Sequence, residues 1–211
     1  MKTVESFGVK NDDAGLDYFI APKDEIRKGD IPASHQAGYI ACVIGAAHGT
    51  KRWPVHKWKE FCERTDHPII LLGGKEDAGA GNEIASVDPI KVYNASGKFS
   101  INESADLVRK AKVVVTHDTG LMHIAAAYKR PIISLWGNTV PSFGMYPYYG
   151  VETYHDTSLH QLRQPYDILQ TNKLWCRPCS KIGFDKCPLG HFKCVEKIEV
   201  DKVIAAVKKR L

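Results

Sequence analysis

The chain contains no run of apolar residues approaching the roughly 20 that a membrane-crossing helix needs, and residues 1–10 carry no apolar core of the kind that marks a secretory signal. A cytosolic protein is therefore expected. Nor does it hold a Lys/Arg block: 29 basic against 24 acidic residues give a formal net charge of +5 spread along the chain. That balance argues against nucleic acid as the main ligand and suits a small anionic substrate. The phosphate-cradling pattern of two glycines and a lysine is missing, and so is the glycine fingerprint of dinucleotide enzymes. These absences set aside a P-loop NTPase and an ordinary nicotinamide enzyme. No Ser or Cys stands in a nucleophile elbow near His117, Asp118 or His123, so a hydrolase triad has nothing to work with. Internal repeats and low-complexity tracts are likewise lacking.

What is present, in 211 residues, is enough apolar sequence for one α/β domain with a small appendage. Residues 1–37 are polar and broken by Gly and Pro, and they read as a linker with one short packed strand at Leu16-Asp17-Tyr18-Phe19-Ile20. From residue 38, apolar runs of strand length alternate with segments of helical spacing. Gly38–Gly45 is the first strand, and Pro54, Val55, Trp58, Phe61 and Cys62 begin a helix. Pro68–Gly74, Ile90–Tyr93, Val113–Val115 and Pro131–Trp136 are further strands. Ser100 and Glu103 form a capping-box pair ahead of a helix that runs to Lys110. Such alternation predicts a Rossmann-like parallel sheet with helices on both faces over residues 38–211. Its ligands belong beyond the carboxyl ends of the strands, where loops 46–53, 73–77, 94–98, 117–120 and 137–144 converge.

The organising stretch is Val113 to Ala127, where a β-branched run turns directly into a helix-forming one. Asp118 or Thr119 suits the N-cap, and Gly120 clears space in front of the helix start, so backbone N–H groups and the positive dipole end face outward as an anion site. An ordinary capped connection between strand and helix is the alternative. Thr50, Lys51 and Arg52 follow the first strand and offer a hydroxyl, an ammonium and a guanidinium to phosphate oxygens, unless they form a plain solvated basic loop. Glu76, just past Gly73-Gly74, either accepts the hydroxyls of a ribose or serves as a first-turn acid favoured by the helix dipole. His123 is assigned to structure or ligand hydrogen bonding. The Pro-, Gly- and Tyr-rich segment 137–150 either covers a flat ligand or packs on its own domain.

Lys51-Arg52-Trp53-Pro54, Leu71 to Asp77, Asn94-x-x-Gly97-Lys98, Asp118 to Ala127 and Trp136-Gly137-Asn138-Thr139 occur in this order over about half the chain. Together they resemble the donor-binding half of glycosyltransferase family 9, the heptosyltransferases of lipopolysaccharide assembly. The resemblance implies the C-terminal domain of a GT-B enzyme that moves heptose from ADP-heptose to a lipid-A-linked sugar, with inversion and without a metal or other required cofactor. It implies Lys51, Thr119 and Gly120 at the diphosphate, Asp118 by the sugar and Glu76 at the ribose; Thr50 and His123 join the expected donor-binding set on their own chemistry, as hydroxyl and imidazole beside these residues. In that family an acceptor domain precedes this half and supplies the base. The 211 residues hold only a linker before residue 38, so the catalytic base is unknown and the chain alone is expected to be an incomplete enzyme. The acceptor would be met through another domain or chain, with peripheral contact at the inner face of the membrane. The last helix, 199–211, would leave part of its apolar stripe exposed.

Of six cysteines, Cys42 and Cys62 lie in apolar segments, whereas Cys176, Cys179, Cys187 and Cys194 fall together within a Cys-rich segment, 175–195. Free, partly buried thiols are the preferred reading. A structural zinc is the alternative, since Cys176-Arg177-Pro178-Cys179 has the right half-site spacing and His191 is a spare ligand, but six residues between Cys187 and Cys194 are looser than a zinc ribbon. Two other functions stay open beside the heptosyltransferase: a GT-B domain using another nucleotide-sugar, and a non-catalytic interaction module built on the cysteine segment.

Overall fold

The computed structural model describes residues 2–12, 14–150 and 165–211. Six parallel strands, β1 (Ile40–Val43), β2 (Ile69–Leu72), β3 (Val92–Asn94), β4 (Val113–His117), β5 (Ile132–Trp136) and β6 (Tyr166–Gln170), form one sheet in the order β3-β2-β1-β4-β5-β6. The order reverses between β1 and β4, which is where open parallel sheets bind ligands. Strands β1, β2, β4 and β5 are buried along their whole length, as expected for Val- and Ile-rich strands covered on both faces.

Alternation divides the core in two. Ile40, Cys42, Leu71, Val113 and Val115 point to one face, against Trp58 and Phe61 of helix α1 (Val55–Arg64), Ile84 of α2 (Ala78–Ala85) and Val203 and Val207 of the last helix. Ala41, Val43, Ile70, Leu72 and Val114 point to the other, against Leu107 and Val108 of α3 (Ile101–Lys110) and Met122 and Ala125 of α4 (Gly120–Ala127). Each fully buried side chain of Leu or Phe size contributes roughly 1.5–3 kcal/mol relative to exposure. The Ser100–Glu103 capping box forms as predicted: the Glu103 N–H donates to Ser100 Oγ at 3.3 Å and the Ser100 N–H to the Glu103 carboxylate at 2.7 Å. A short helix, α5 (Lys193–Glu196), precedes the last one, α6 (Val200–Arg210).

Four expectations are corrected. No strand forms at 16–20; Phe19 is exposed and Tyr18 instead donates to Asn102 Oδ1 at 2.8 Å, because no strand of the sheet runs alongside to supply a ladder. The segment before residue 38 is more than a linker: the Ile26 N–H donates to buried Asp106 at 2.7 Å, and buried His35 lies 3.1 Å from the carbonyls of both Ile69 and Lys91. The third strand starts at Val92 instead of Ile90, since the Asp88 carboxylate accepts from the Ile90 and Lys91 amides and holds them in a turn with Ile90 exposed. Finally, α6 buries Val200, Val203 and Val207 against α1 and the sheet, leaving only Leu211 among its large apolar residues exposed. Strand β6 was not anticipated. Among the described residues, no helix is long and apolar enough to cross a membrane.

Candidate functional site

At the carboxyl ends of β1, β2 and β4 lies an open cavity of about 670 Å3, walled by Gly45, Ala46, Lys51, Gly73, Glu76, Phe99, Ile101, residues 118–121 and His123. Loops 46–53, 73–77 and 117–120 thus meet as predicted. The 94–98 loop contributes through the residues that follow it, and 137–144 lies outside the lining.

Strand β4 ends at His117, whose Nε2 accepts the Trp53 N–H at 2.8 Å, so the proton must sit on Nδ1, 3.3 Å from the Gly45 carbonyl. Burial drives its pKa down to about 4, with the Gly45 hydrogen bond opposing. His117 is a neutral bracket between the ends of β1 and β4 and the first loop. Asp118 follows, almost fully buried, and accepts from Lys51 Nζ at 2.7 Å and from Thr139 Oγ1 at 3.1 Å on the same carboxylate oxygen. Thr119 is the N-cap of α4, yet no side chain caps that helix, so amides of its first turn remain available to a ligand. A side chain at Gly120 would meet no protein atom within 4 Å. Nothing in the chain itself calls for glycine there; the open space belongs to the cavity. His123, one turn further on, lines the cavity, and burial lowers its pKa, with Asp118 opposing and Lys51 adding.

The second wall is built around Asp77. Its carboxylate accepts the Gly74 N–H at 2.9 Å and pairs with Arg52 Nη1 at 3.1 Å, while Arg52 also donates to the Ala46 carbonyl at 2.9 and 2.7 Å. A Cβ at Gly45 would stand 2.1 Å from Asp77 Oδ2, and one at Gly74 would stand 2.3 Å from the Glu76 carboxylate. Gly45 lets the loops of β1 and β2 close on each other, and Gly74 leaves room for the carboxylate of Glu76, which is exposed at the cavity edge.

The expected residues separate into those that reach the cavity and those that do not. Lys51, Glu76, Asp118, Thr119, Gly120 and His123 line it. Thr50 does not: it is buried, and its hydroxyl donates toward Asn138 Oδ1 (3.0 Å) and the Phe184 carbonyl (2.9 Å) while accepting the Phe184 N–H. The Arg52 guanidinium is spent on Ala46 and Asp77 and braces the loop. Phe99 and Ile101 are apolar walls that motif reading passed over. A signal existed for Phe99: it precedes the N-cap Ser100, where an apolar residue usually staples to one at the fourth helical position, and that position is Ser104. Segment 137–150 packs on its own domain. Asn138 and Thr139 are fully buried, and Tyr149 stacks on Tyr166 at 5.7 Å and donates to the Arg130 carbonyl.

Cys176, Cys179, Cys187 and Cys194 are free thiols that, with His191, face one small enclosed cavity of about 30 Å3; Cys176 Sγ lies 3.7 Å from His191 Nε2. Burial pushes the Cys194 thiol up to about 11. Burial acts the same way on Cys187, but amides of residues 189–192 outweigh it and hold that thiol below its ordinary value. Among the described residues, no group of three or more His, Cys, Asp or Glu is placed to hold a metal ion.

The family model described as glycosyltransferase family 9 (heptosyltransferase) matches residues 5–161. Lipooligosaccharide heptosyltransferase 2 of Haemophilus influenzae is 38% identical over 112 residues, which is 49% of this chain and 32% of that protein. The chain thus spans about a third of the length of the curated relatives it matches first. Among solved structures, the glycosyl transferase family 9 protein from Veillonella parvula superposes with a TM-score of 0.74 at 23% identity, covering 98% of this chain and 57% of that one. The E. coli heptosyltransferase WaaC with ADP superposes at 0.58 and 21% identity, covering 87% and 47%.

Proposed function

The chain belongs to glycosyltransferase family 9, and from that premise we propose that the 670 Å3 cavity binds the nucleotide-sugar donor ADP-heptose for transfer of heptose to a lipopolysaccharide core acceptor. The observation that carries this reading is the meeting of Lys51 with the uncapped start of α4, which brings a cation and helix-start amides together in one cavity. These are donors for a diphosphate. Glu76 at the cavity edge is set to accept two ribose hydroxyls, Phe99 and Ile101 offer a flat apolar wall for the base, and Asp118 lies where the sugar would leave the phosphates.

Transfer requires the acceptor oxygen to attack the anomeric carbon as the bond to the β-phosphate oxygen breaks, its electron pair leaving with ADP, and a base to take the acceptor's proton. Lys51 and the α4 amides stabilise the charge that grows on the departing diphosphate. The base is another matter. Asp118 is engaged by Lys51 and Thr139, and Asp77 by Arg52 and Gly74, while Glu76 belongs to the ribose. The cavity thus reads as a donor site, and none of these three carboxylates stands free to take the acceptor's proton.

Calorimetry with ADP, ADP-heptose and a panel of other nucleotide-sugars tests the reading. ADP-heptose is expected to bind more tightly than ADP and than any other nucleotide-sugar. Preference for a different nucleotide-sugar would keep the architecture and change the donor, whereas no binding of any of them would dismiss the cavity as a donor site.

A further inference from the structure

Arg177 belongs to the cysteine-rich segment and lines no part of the donor cavity. Its guanidinium nevertheless reaches the ends of β5 and β6. Nη2 donates to the Thr139 carbonyl at 2.7 Å and to Gln170 Oε1 at 2.8 Å, Nε to the Gly137 carbonyl at 2.5 Å, and Nη1 to the Thr171 carbonyl at 3.3 Å. An arginine spending its donors on three main-chain carbonyls and an amide oxygen fixes where those oxygens lie and which way they face, because its fork is planar and rigid.

What it fixes is the loop that holds the donor residues from behind. Thr139 Oγ1 donates to the same Asp118 oxygen that Lys51 meets. The Asn138 N–H donates to the Thr50 carbonyl at 3.2 Å, and Asn138 Oδ1 accepts from the Thr50 hydroxyl, which pins the residue before Lys51. A Cβ at Gly137 would stand 2.2 Å from the Thr50 carbonyl oxygen and 3.3 Å from Lys51 Cα, so the two loops are in direct contact. Lys51 and Asp118 therefore share one buttress, and Arg177 locks it.

We propose that Arg177 is a positioning residue for the donor: through the main chain of Gly137 and Thr139 it sets the Thr139 hydroxyl that aims Asp118 at the sugar-bearing part of the ligand. The inference rests on the donor-site reading above. Misplacement of such a group by a fraction of an ångström is felt where geometry matters, at the sugar, more than at a diphosphate held by a flexible lysine and a helix end.

The test is calorimetry of ADP and ADP-heptose on the full 211-residue chain and on Arg177→Ala, Arg177→Lys, Thr139→Val and the Arg177→Ala/Thr139→Val pair, with each melting temperature recorded. Arg109→Ala, which loosens the Arg109–Asp106 pair of α3, is the control for lost stability alone. Arg177→Ala is expected to weaken ADP-heptose about tenfold, the loss equivalent to one charge-assisted hydrogen bond, and ADP by less than threefold. Lysine restores part of the loss. Thr139→Val reproduces the sugar-selective defect, and Arg177→Ala then adds little to it, since residues acting in series are not additive. Equal losses for both ligands that track the melting temperature as in Arg109→Ala, or full additivity with Thr139→Val, would overturn the positioning role while leaving the donor site standing. Failure of the unaltered chain to bind either ligand would overturn both. Should Arg177→Ala not fold, Arg177→Lys and Thr139→Val carry the same comparison.

Discussion

Replacing Lys51 by alanine is the most direct probe of the cavity. In the unliganded chain the ammonium lies 2.7 Å from Asp118 Oδ2, with the two side chains only 12% and 6% exposed. At an effective dielectric of ~20, charges at that separation attract by about 6 kcal/mol, though the desolvation of both groups offsets much of it. A diphosphate must take over this partner, so the lysine contributes to binding by exchanging one anion for another. Its net worth is that of a charge-assisted hydrogen bond, roughly 1.5–3 kcal/mol, which converts to a tenfold to 150-fold weaker Kd for ADP. The substitution also leaves Asp118 buried with only the Thr139 hydroxyl, so the unliganded variant should melt several degrees lower, at ~2–4 °C per kcal/mol for a chain of this size. Calorimetry with ADP measures the first effect and a thermal scan the second. A variant that melts lower yet binds ADP with unchanged affinity would refute the argument, because the phosphates would then lie away from Lys51.

Asp118→Asn keeps an acceptor for Thr139 but removes the competing anion, so ADP should bind at least as well as before while ADP-heptose weakens; equal weakening of both would make Asp118 a scaffold residue. Stability should fall on acidification. His117 is held near 4 in the fold against 6.5 when unfolded, so between those values the unfolded chain binds more protons, and roughly 3 kcal/mol is lost as pH drops through that window. His35, also lowered by burial, acts in the same direction; urea midpoints at pH 7 and pH 4.5 that coincide would contradict this. Gly45→Ala drives a methyl into an Asp77 carboxylate already held by Gly74 and Arg52, and a cost of about 1–3 kcal/mol should appear in the denaturation midpoint. Incubated alone with ADP-heptose and a lipid acceptor, the chain should release no ADP, and an added acceptor domain of the family should start turnover; sustained transfer without one would place the base within these residues.

Local sequence determined a good deal of this protein. β-Branched runs that would be buried on both faces had to become inner strands, the Ser100–Glu103 spacing had to cap α3, and the abrupt passage from Val113–Val115 to Gly120–Ala127 had to bring a helix start to the sheet edge. Those signals are short-range, set by backbone geometry and side-chain periodicity within a few residues, and they pointed to Lys51, Glu76, Asp118 and His123, which line one cavity in the fold. What neighbouring residues do to one another across the fold was beyond their reach. Thr50 and Arg52 have the chemistry of phosphate ligands, and only the approach of Phe184, Asn138 and Asp77 shows their donors already spent. Strand β6 is as long as β4 and β5, but Tyr166-Asp167-Ile168-Leu169-Gln170 is only half-buried and holds no β-branched run, and its ladder to the edge of β5 is what makes it a strand. The stripe on α6 looked unpartnered until α1 and the sheet covered it, and Arg177 looked like a charge in a cysteine-rich loop until the carbonyls of Gly137 and Thr139 came within reach. In each case the deciding contact joins residues tens of positions apart, and which donors and apolar faces are free is a property of the packed chain.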